Sequence, residues 1–246
     1  MAKKNATCHI GTSGWHYEHW KGPFYPENYS QKDFLSFYSN HLGTVEINNS
    51  FYHLPNIAAF QQWHDTVEKD FLFAVKASRY ITHMKKLKDP ENSLAKFLSA
   101  IQGLKNKLCI ILFQLPPYWH RNEERLESFL SVLPKKLKCA FEFRDKSWFN
   151  EDIYKLLSKY NAAFCIYEIA GEMSHEIITA DYIYIRLHGP DNQKYQGDYT
   201  KNQLSSWAEK FHKWMKEGRE IFCYFDNDQN GYAAKNAMTL QKMMSL

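Results

Sequence analysis

The sequence predicts a single α/β domain of the (β/α)8 barrel class, a TIM barrel. Three observations predict it. Eight short apolar runs recur along 246 residues. Most gaps between them repeat apolar residues at helical spacing. Nearly every run turns from apolar to ionisable at its C-terminal end, where barrels of this class carry their chemistry.

The first run is Cys8–Thr12, closing on GTSGW. Residues Gln31–His41 follow with Phe34, Leu35, Phe37 and Tyr38 at helical spacing, then the second run, Thr44–Asn49. Ile57–Val67 is a shorter helix before the third run, Leu72–Ser78. Pro90–Leu104 opens on Pro-Glu, suited to a first helical turn. It aligns Leu94, Phe97, Leu98 and Ile101 on one stripe ahead of the fourth run, Leu108–Leu115. Glu123–Leu133 and Glu151–Tyr160 are the helices before and after the fifth run, Cys139–Arg144, and Ala162–Glu168 is the sixth. Ile169–Ala180 is too short and too interrupted by Gly and Ser for a helix, so the helix between strands six and seven is expected to be short or missing. Tyr182–His188 is the seventh run. Thr200–Glu217 carries Leu204, Trp207, Phe211 and Trp214 and stops at Gly218, as helices do. Ile221–Asp226 is the eighth run, and Tyr232–Met244 closes the chain. An open doubly wound sheet is the competing fold, but GTSGW lacks the GxGxxG spacing that its phosphate turn uses. No linker or low-complexity stretch divides residues 1–246, so one domain is expected.

Composition bounds the function. Hydrophobic residues make up 44% and charged residues 24%, as in soluble proteins. A formal charge of +4 is far from the dense basic surface of a dedicated nucleic-acid binder. The five cysteines form no CxxC pair and read as free thiols of a reducing compartment. The N-terminal stretch MAKKNATCHIGTSGW has no apolar segment of a leader, and no apolar run reaches the length of a membrane span. The expected location is the cytoplasm, with no membrane partner. Oligomeric state is not addressed by the pattern.

The rim chemistry follows from alternation along each strand. VEINNSFYHLP places Glu46, Asn48 and Ser50 on one face, and FAVKAS places Lys76 with Ser78, next to Arg79. ILFQLPP ends in Gln114, AFEFRDKSW offers Glu142 and Arg144, YIRLHGP offers Tyr184, Arg186 and His188, and FCYFDND offers Asp226 and then Asp228. The catalytic candidates are Glu46, Glu142, His188 and Asp226, which suit general acid–base work. The substrate-binding candidates are Asn48, Lys76, Arg79, Gln114, Arg144 and Arg186, with Trp15, Tyr52 and Trp148 as walls. Arginine forks and lysine suit an anionic small molecule containing phosphate or sugar. The expectation is therefore an enzyme, a hydrolase or a lyase/isomerase. No cofactor is called for. A divalent metal is the alternative, though no HxxxH, HxH or DxH spacing lies on one strand and three basic residues compete for the carboxylates. The bland alternative is a structural ring of ion pairs. The other functional class is a protein binding single-stranded or damaged nucleic acid through the basic loop Ser78–Asp89 and rim aromatics.

Seven blocks, in order, resemble the domain-of-unknown-function 72 (YecE-like) family: GTSGWHYEHWKGPFYPE, VEINNSFYHLP, FAVKASRYITHMKKLKD, LFQLPP, FEFRDKSWF, YIRLHGP and YFDNDQNGYAAKNA. The resemblance implies a TIM barrel, in agreement with the strand count, and supplies no settled reaction. The family has been likened, through its site, to barrel enzymes that cut DNA at abasic positions, and a fold alone licenses no function.

Overall fold

The structure, a computed structural model, describes residues 6–245; the first five residues of the N-terminal stretch and Leu246 lie outside the described residues. The strands are β1 (Cys8–Ser13), β2 (Thr44–Ile47), β3 (Leu72–Lys76), β4 (Leu108–Gln114), β5 (Cys139–Glu142), β6 (Ala163–Ile169), β7 (Glu172–Met173), β8 (Tyr182–Leu187) and β9 (Glu220–Phe225). Their hydrogen-bonded order is β5-β4-β3-β2-β1-β9-β8-β6-β7, with β5 also paired to β6. Eight strands thus form a closed ring of the predicted (β/α)8 class, and β7 is attached outside it. The helices are α1 (Phe34–Ser39), α2 (Asn49–Tyr52), α3 (Ile57–Thr66), α4 (Pro90–Ile101), α5 (Glu123–Val132), α6 (Glu151–Lys159), α7 (Lys201–Lys216) and α8 (Tyr232–Met244).

Two compact units are described separately. The first comprises the described parts of Met1–Glu46, Ile166–Glu176 and Asp181–Leu246. Here β2, β1, β9 and β8 are parallel neighbours, with Ser13 opposite Glu46, Thr12 opposite Phe225, and Leu187 opposite Phe225. Only glycine fits at position 11, because a Cβ there would sit 2.1 Å from the Thr44 carbonyl oxygen. Helix α8 packs on β1, and α7 on α8. Thr200 caps α7 in a reciprocal box with Gln203, which satisfies two orphan backbone donors. Between β6 and β8, where a short or missing helix is expected, the described residues form none. Instead Ala170 and Gly171, both at positive φ, make a two-residue hairpin that pairs Ile169 with Glu172.

The second unit comprises Ile47–Cys165 and Ile177–Ala180. In it β3, β4 and β5 are parallel neighbours, and Gln114 lies opposite Glu142. Its core is aromatic. Phe143 stacks on Trp148 with ring centroids 5.0 Å apart, and Phe113 on Phe141 at 5.2 Å. Lys107, buried between α3 and β4, donates to the carbonyls of His64 at 2.5 Å and Val67 at 2.6 Å, and burial lowers its pKa.

Several boundaries depart from the sequence reading. The second strand stops at Ile47, not Asn49, and residues 49–52 turn helically, so Asn48 and Ser50 do not continue a strand face behind Glu46. Ser50 donates instead to the Lys76 carbonyl at 2.6 Å. The first helix splits into a 3-10 turn, Gln31–Asp33, and α1; the fourth splits at Ile101 into α4 and a 3-10 stretch, Gln102–Lys107. The basic loop Ser78–Asp89 contains a π-helical turn, Tyr80–Met84. Among the described residues, no helix is long and apolar enough to cross a membrane.

Candidate functional site

The first unit gathers three predicted residues around the guanidinium of a fourth, Arg186. Arg186 leaves β8 fully buried, and Glu46, His188 and Asp226 around it are all buried. Its Nε donates to both Glu46 carboxylate oxygens at 3.2 and 3.1 Å. One terminal nitrogen donates to Glu46 Oε1 at 2.8 Å, Ser13 Oγ at 2.9 Å and Asp226 Oδ2 at 2.9 Å. The other lies 3.3 Å from His188 Nε2. Parallel register brings these groups together. Ser13 ends β1, Glu46 and Arg186 lie one residue before the ends of β2 and β8, and His188 and Asp226 lie just beyond β8 and β9.

Two further hydroxyls complete the Glu46 environment. Tyr184 donates to Oε2 at 2.5 Å, and Ser13 donates to Oε1. With both Arg186 nitrogens these donors occupy the lone pairs a carboxylate offers. Glu46 is thus committed to holding Arg186, Ser13 and Tyr184 in place.

His188 has a different character. A guanidinium can only donate, so Nε2 accepts from Arg186 and the ring is neutral with its proton on Nδ1. Nδ1 lies 2.9 Å from Asp226 Oδ2, oblique to the ring N–H. The Tyr167 and Tyr195 rings approach the imidazole nearly at right angles, at 6.4 and 5.5 Å between centroids. Tyr195 holds a φ of 66°, a left-handed conformation that side chains rarely adopt, and its N–H donates to the His188 carbonyl at 2.8 Å.

Charge in this cluster does not balance. Among the described groups of this unit, two carboxylates, Glu46 and Asp226, contact Arg186. Asp228 lies on the following turn, and burial, then the charge of Asp226, raises its pKa. The Tyr17 phenol, which donates to the Ser13 carbonyl at 2.7 Å, is pushed well up by burial and by Asp226, Asp228 and Glu46. An excess of buried negative charge favours proton uptake by a neighbouring neutral base.

The second unit holds the other candidates. Glu142 is fully buried, and both Nε and a terminal nitrogen of Arg144 contact its Oε1. Cys165 Sγ lies 3.9 Å from Oε2. Lys76 Nζ sits 4.5 Å from the centroid of Phe51. The His83 ring meets the same Phe51 edge-on at 4.9 Å. Arg79, the residue before the π turn, is exposed. His83 is held down to about 4 by burial, then by the charges of Lys76 and Arg79.

Of the expected walls, Tyr52 is 67% exposed and stands edge-on to Phe51. Trp15 is buried, and its carbonyl accepts from Tyr25. Trp148 is enclosed, donating from its indole to the Trp119 carbonyl at 2.6 Å. Asn48 is half-buried ahead of α2. Among the described residues, no three His, Cys, Asp or Glu side chains gather as metal ligands.

Ser13, Tyr17, Tyr184, Tyr195 and Asp228 were not among the selected site residues. Tyr184 shares the period-two face of Arg186 and His188, so strand alternation already pointed to it. Tyr195 had no local signal, because only the return of its loop brings it to His188.

Residues 9–246 match the family model described as "Protein of unknown function DUF72". The chain is 25% identical to the UPF0759 protein YunF of Bacillus subtilis, across 97% of this chain and 95% of that one. It is 28% identical to the UPF0759 protein YecE of Escherichia coli, across 47% of this chain and 43% of that one. A solved DUF72 family protein from Thermotoga maritima is similar with a TM-score of 0.88 and 29% identity, covering 98% of this chain and 100% of that one. A DUF72 family protein from Enterococcus faecalis, at a TM-score of 0.81 and 19% identity, shares the fold.

Proposed function

The chain belongs to the DUF72 family, and we propose that it is an enzyme performing general acid–base chemistry on an anionic substrate that contains phosphate or sugar. One observation carries the reading: a buried, neutral His188 set against Asp226 and Arg186, in a cluster with more carboxylate than cation. A base so placed gains a proton without creating uncompensated charge. His188 is the base, at Nε2, where a substrate proton displaces the long contact to Arg186. Asp226, 2.9 Å from Nδ1, stabilises the imidazolium by its charge. Asp228, with its raised pKa, is the acid. Glu46, its lone pairs occupied, positions Arg186 rather than reacting.

The second unit, taken by itself, carries basic groups of the kind that suit an anionic ligand. His83 is held down by burial and then by the charges of Lys76 and Arg79, and Glu142 anchors Arg144. Hydrolysis and lyase or isomerase chemistry both use such groups. The five cysteines form no disulfide, in keeping with the cytoplasm as the proposed location.

Binding of nucleic acid through the basic loop has less support. Leu87 is buried, Lys85 pairs with Asp89 at 3.2 Å, and the Trp20 and Trp148 rings present no face for base stacking.

The test is a turnover screen of the full chain against sugar phosphates, phosphodiesters and glycosides, repeated with His188→Gln and Asp226→Asn. Each variant is expected to lower kcat by about 10²–10⁴ while remaining folded. Folded variants with wild-type turnover refute the acid–base assignment.

A further inference from the structure

We propose that the segment joining β3 to the π-helical turn is an oxyanion subsite, in which Lys76, Arg79 and His83 bind a phosphate- or sulfate-like dianion with uptake of one proton by His83. The inference deepens the proposed function, resting on its anionic substrate.

The subsite is built around Phe51. Lys76, at the C-terminal end of β3, places its ammonium 4.5 Å from the ring centroid, and the His83 ring meets the same phenyl at 4.9 Å. One aromatic thus meets both an ammonium and an imidazole. Arg79 precedes the turn that brings His83 back toward β3. An i→i+5 turn is rare and, where it occurs, frequently lies at functional positions. Ser50 fixes the strand end by donating to the Lys76 carbonyl.

Charge sets what His83 offers a ligand. Thr82 Oγ1 lies 3.4 Å from the Ser78 carbonyl oxygen and 2.9 Å from His83 Nδ1. Neutral His83 offers an oxyanion no net charge, whichever ring nitrogen carries the proton. Protonation makes both ring nitrogens donors and adds a positive charge. Within this unit the charged groups acting on His83 are Lys76 on β3 and Arg79 at the start of the turn; Phe51 on α2 and Thr82 beside it are neutral. Burial opposes protonation most, and both cations add to it. A dianion set among three such groups reverses the balance, since it neutralises the cations and attracts the proton. The linkage has a definite sign. With the free imidazole neutral down to about pH 4, binding takes up a proton above that pH, so affinity rises as pH falls.

Sulfate is the probe, because it does not titrate in this range and any proton taken up belongs to the protein. Isothermal titration calorimetry of the full chain at constant ionic strength, in two buffers of different ionisation enthalpy, measures affinity and proton uptake together. Sulfate affinity is expected to rise at least about 10-fold between pH 7.5 and 5.5, with uptake approaching one proton. Chloride at the same ionic strength should not compete. Arg79→Ala should weaken binding about 10-fold or more at every pH. His83→Gln should keep the affinity of pH 7.5 and lose both the rise and the proton uptake. Absence of sulfate binding, pH-independent binding, or an unchanged pH slope in His83→Gln overturns the proposal. These outcomes are independent of His188 and Asp226. Proton-linked sulfate binding together with unimpaired turnover by His188→Gln would sink the acid–base reading and leave this one standing.

Discussion

Replacing Glu46 by Gln is expected to cost about 3–5 kcal/mol of folding stability, the range for breaking a buried ion pair from one side. The carboxylate accepts from Ser13, from Tyr184 and from two nitrogens of Arg186, all of them buried. An amide keeps one acceptor oxygen and turns an NH2 toward the remaining donors. At least two donors are stranded, at about 1–3 kcal/mol each, and Arg186 keeps only Asp226 as a carboxylate partner in its cluster. For a chain of this size about 1 kcal/mol moves Tm by roughly 2–4 °C, so Tm should fall by about 6–20 °C. Thermal and urea unfolding at pH 7, followed by near-ultraviolet circular dichroism, measures it. Tyr184→Phe, which removes one donor and strands one oxygen, should cost only about 1–2 kcal/mol. Adding Arg186→Met to Glu46→Gln should recover part of the loss, because the orphaned cation is gone. A loss below about 1 kcal/mol for Glu46→Gln would mean that solvent reaches the pair, and the description of Glu46 as an anchor would fail.

Further outcomes follow from single groups. His83 is held at about 4, below its ordinary 6.5, so the unfolded chain takes up this proton before the native one does. Its contribution to stability is full above pH 6.5 and declines as pH falls toward 4. His83→Gln should therefore show a smaller drop in urea midpoint between pH 7.0 and 5.0 than the wild type, and equal drops would contradict the burial of this ring. Gly189 has a φ of +103° and would place a Cβ 2.0 Å from the Gln196 carbonyl oxygen, so Gly189→Ala should cost more than about 2 kcal/mol. Gly218, at +85° with open space around it, isolates the backbone effect alone, and Gly218→Ala should cost about 1–2 kcal/mol. Equal melting temperatures for the two variants would contradict the close packing of the loop after β8.

Local pattern carried most of the fold. Residues Tyr232–Met244 are helical as expected, because their apolar positions face one way and Gly231 precedes them. Thr200 lies just outside α7 as its cap rather than inside it, the usual uncertainty of a helix start. What the pattern could not show depended on distant neighbours. The end of β2 at Ile47 reflects the turn of residues 49–52, where Ser50 finds the carbonyl of Lys76. The β6–β7 hairpin escaped notice because its turn uses alanine at a positive φ, where Asn or Asp is the recognisable signal. In the site, period-two alternation placed Arg186 and His188 on one face, and the charge rule brought in Glu46 and Asp226. Neither rule separates an anchoring carboxylate from a reacting one. That distinction came from counting the donors on Glu46 and finding them sufficient to fill it.

The Arg186 guanidinium, bonded at once to Ser13, Glu46, His188 and Asp226, has an evolutionary consequence. A change at any one of these positions alters the value of the other four, so their effects are strongly epistatic. Single steps through the cluster lead mostly downhill, and a lineage leaving this arrangement has to exchange several members together. Relatives that diverge freely over their helices are thus expected to keep this quintet whole or to replace it as a block.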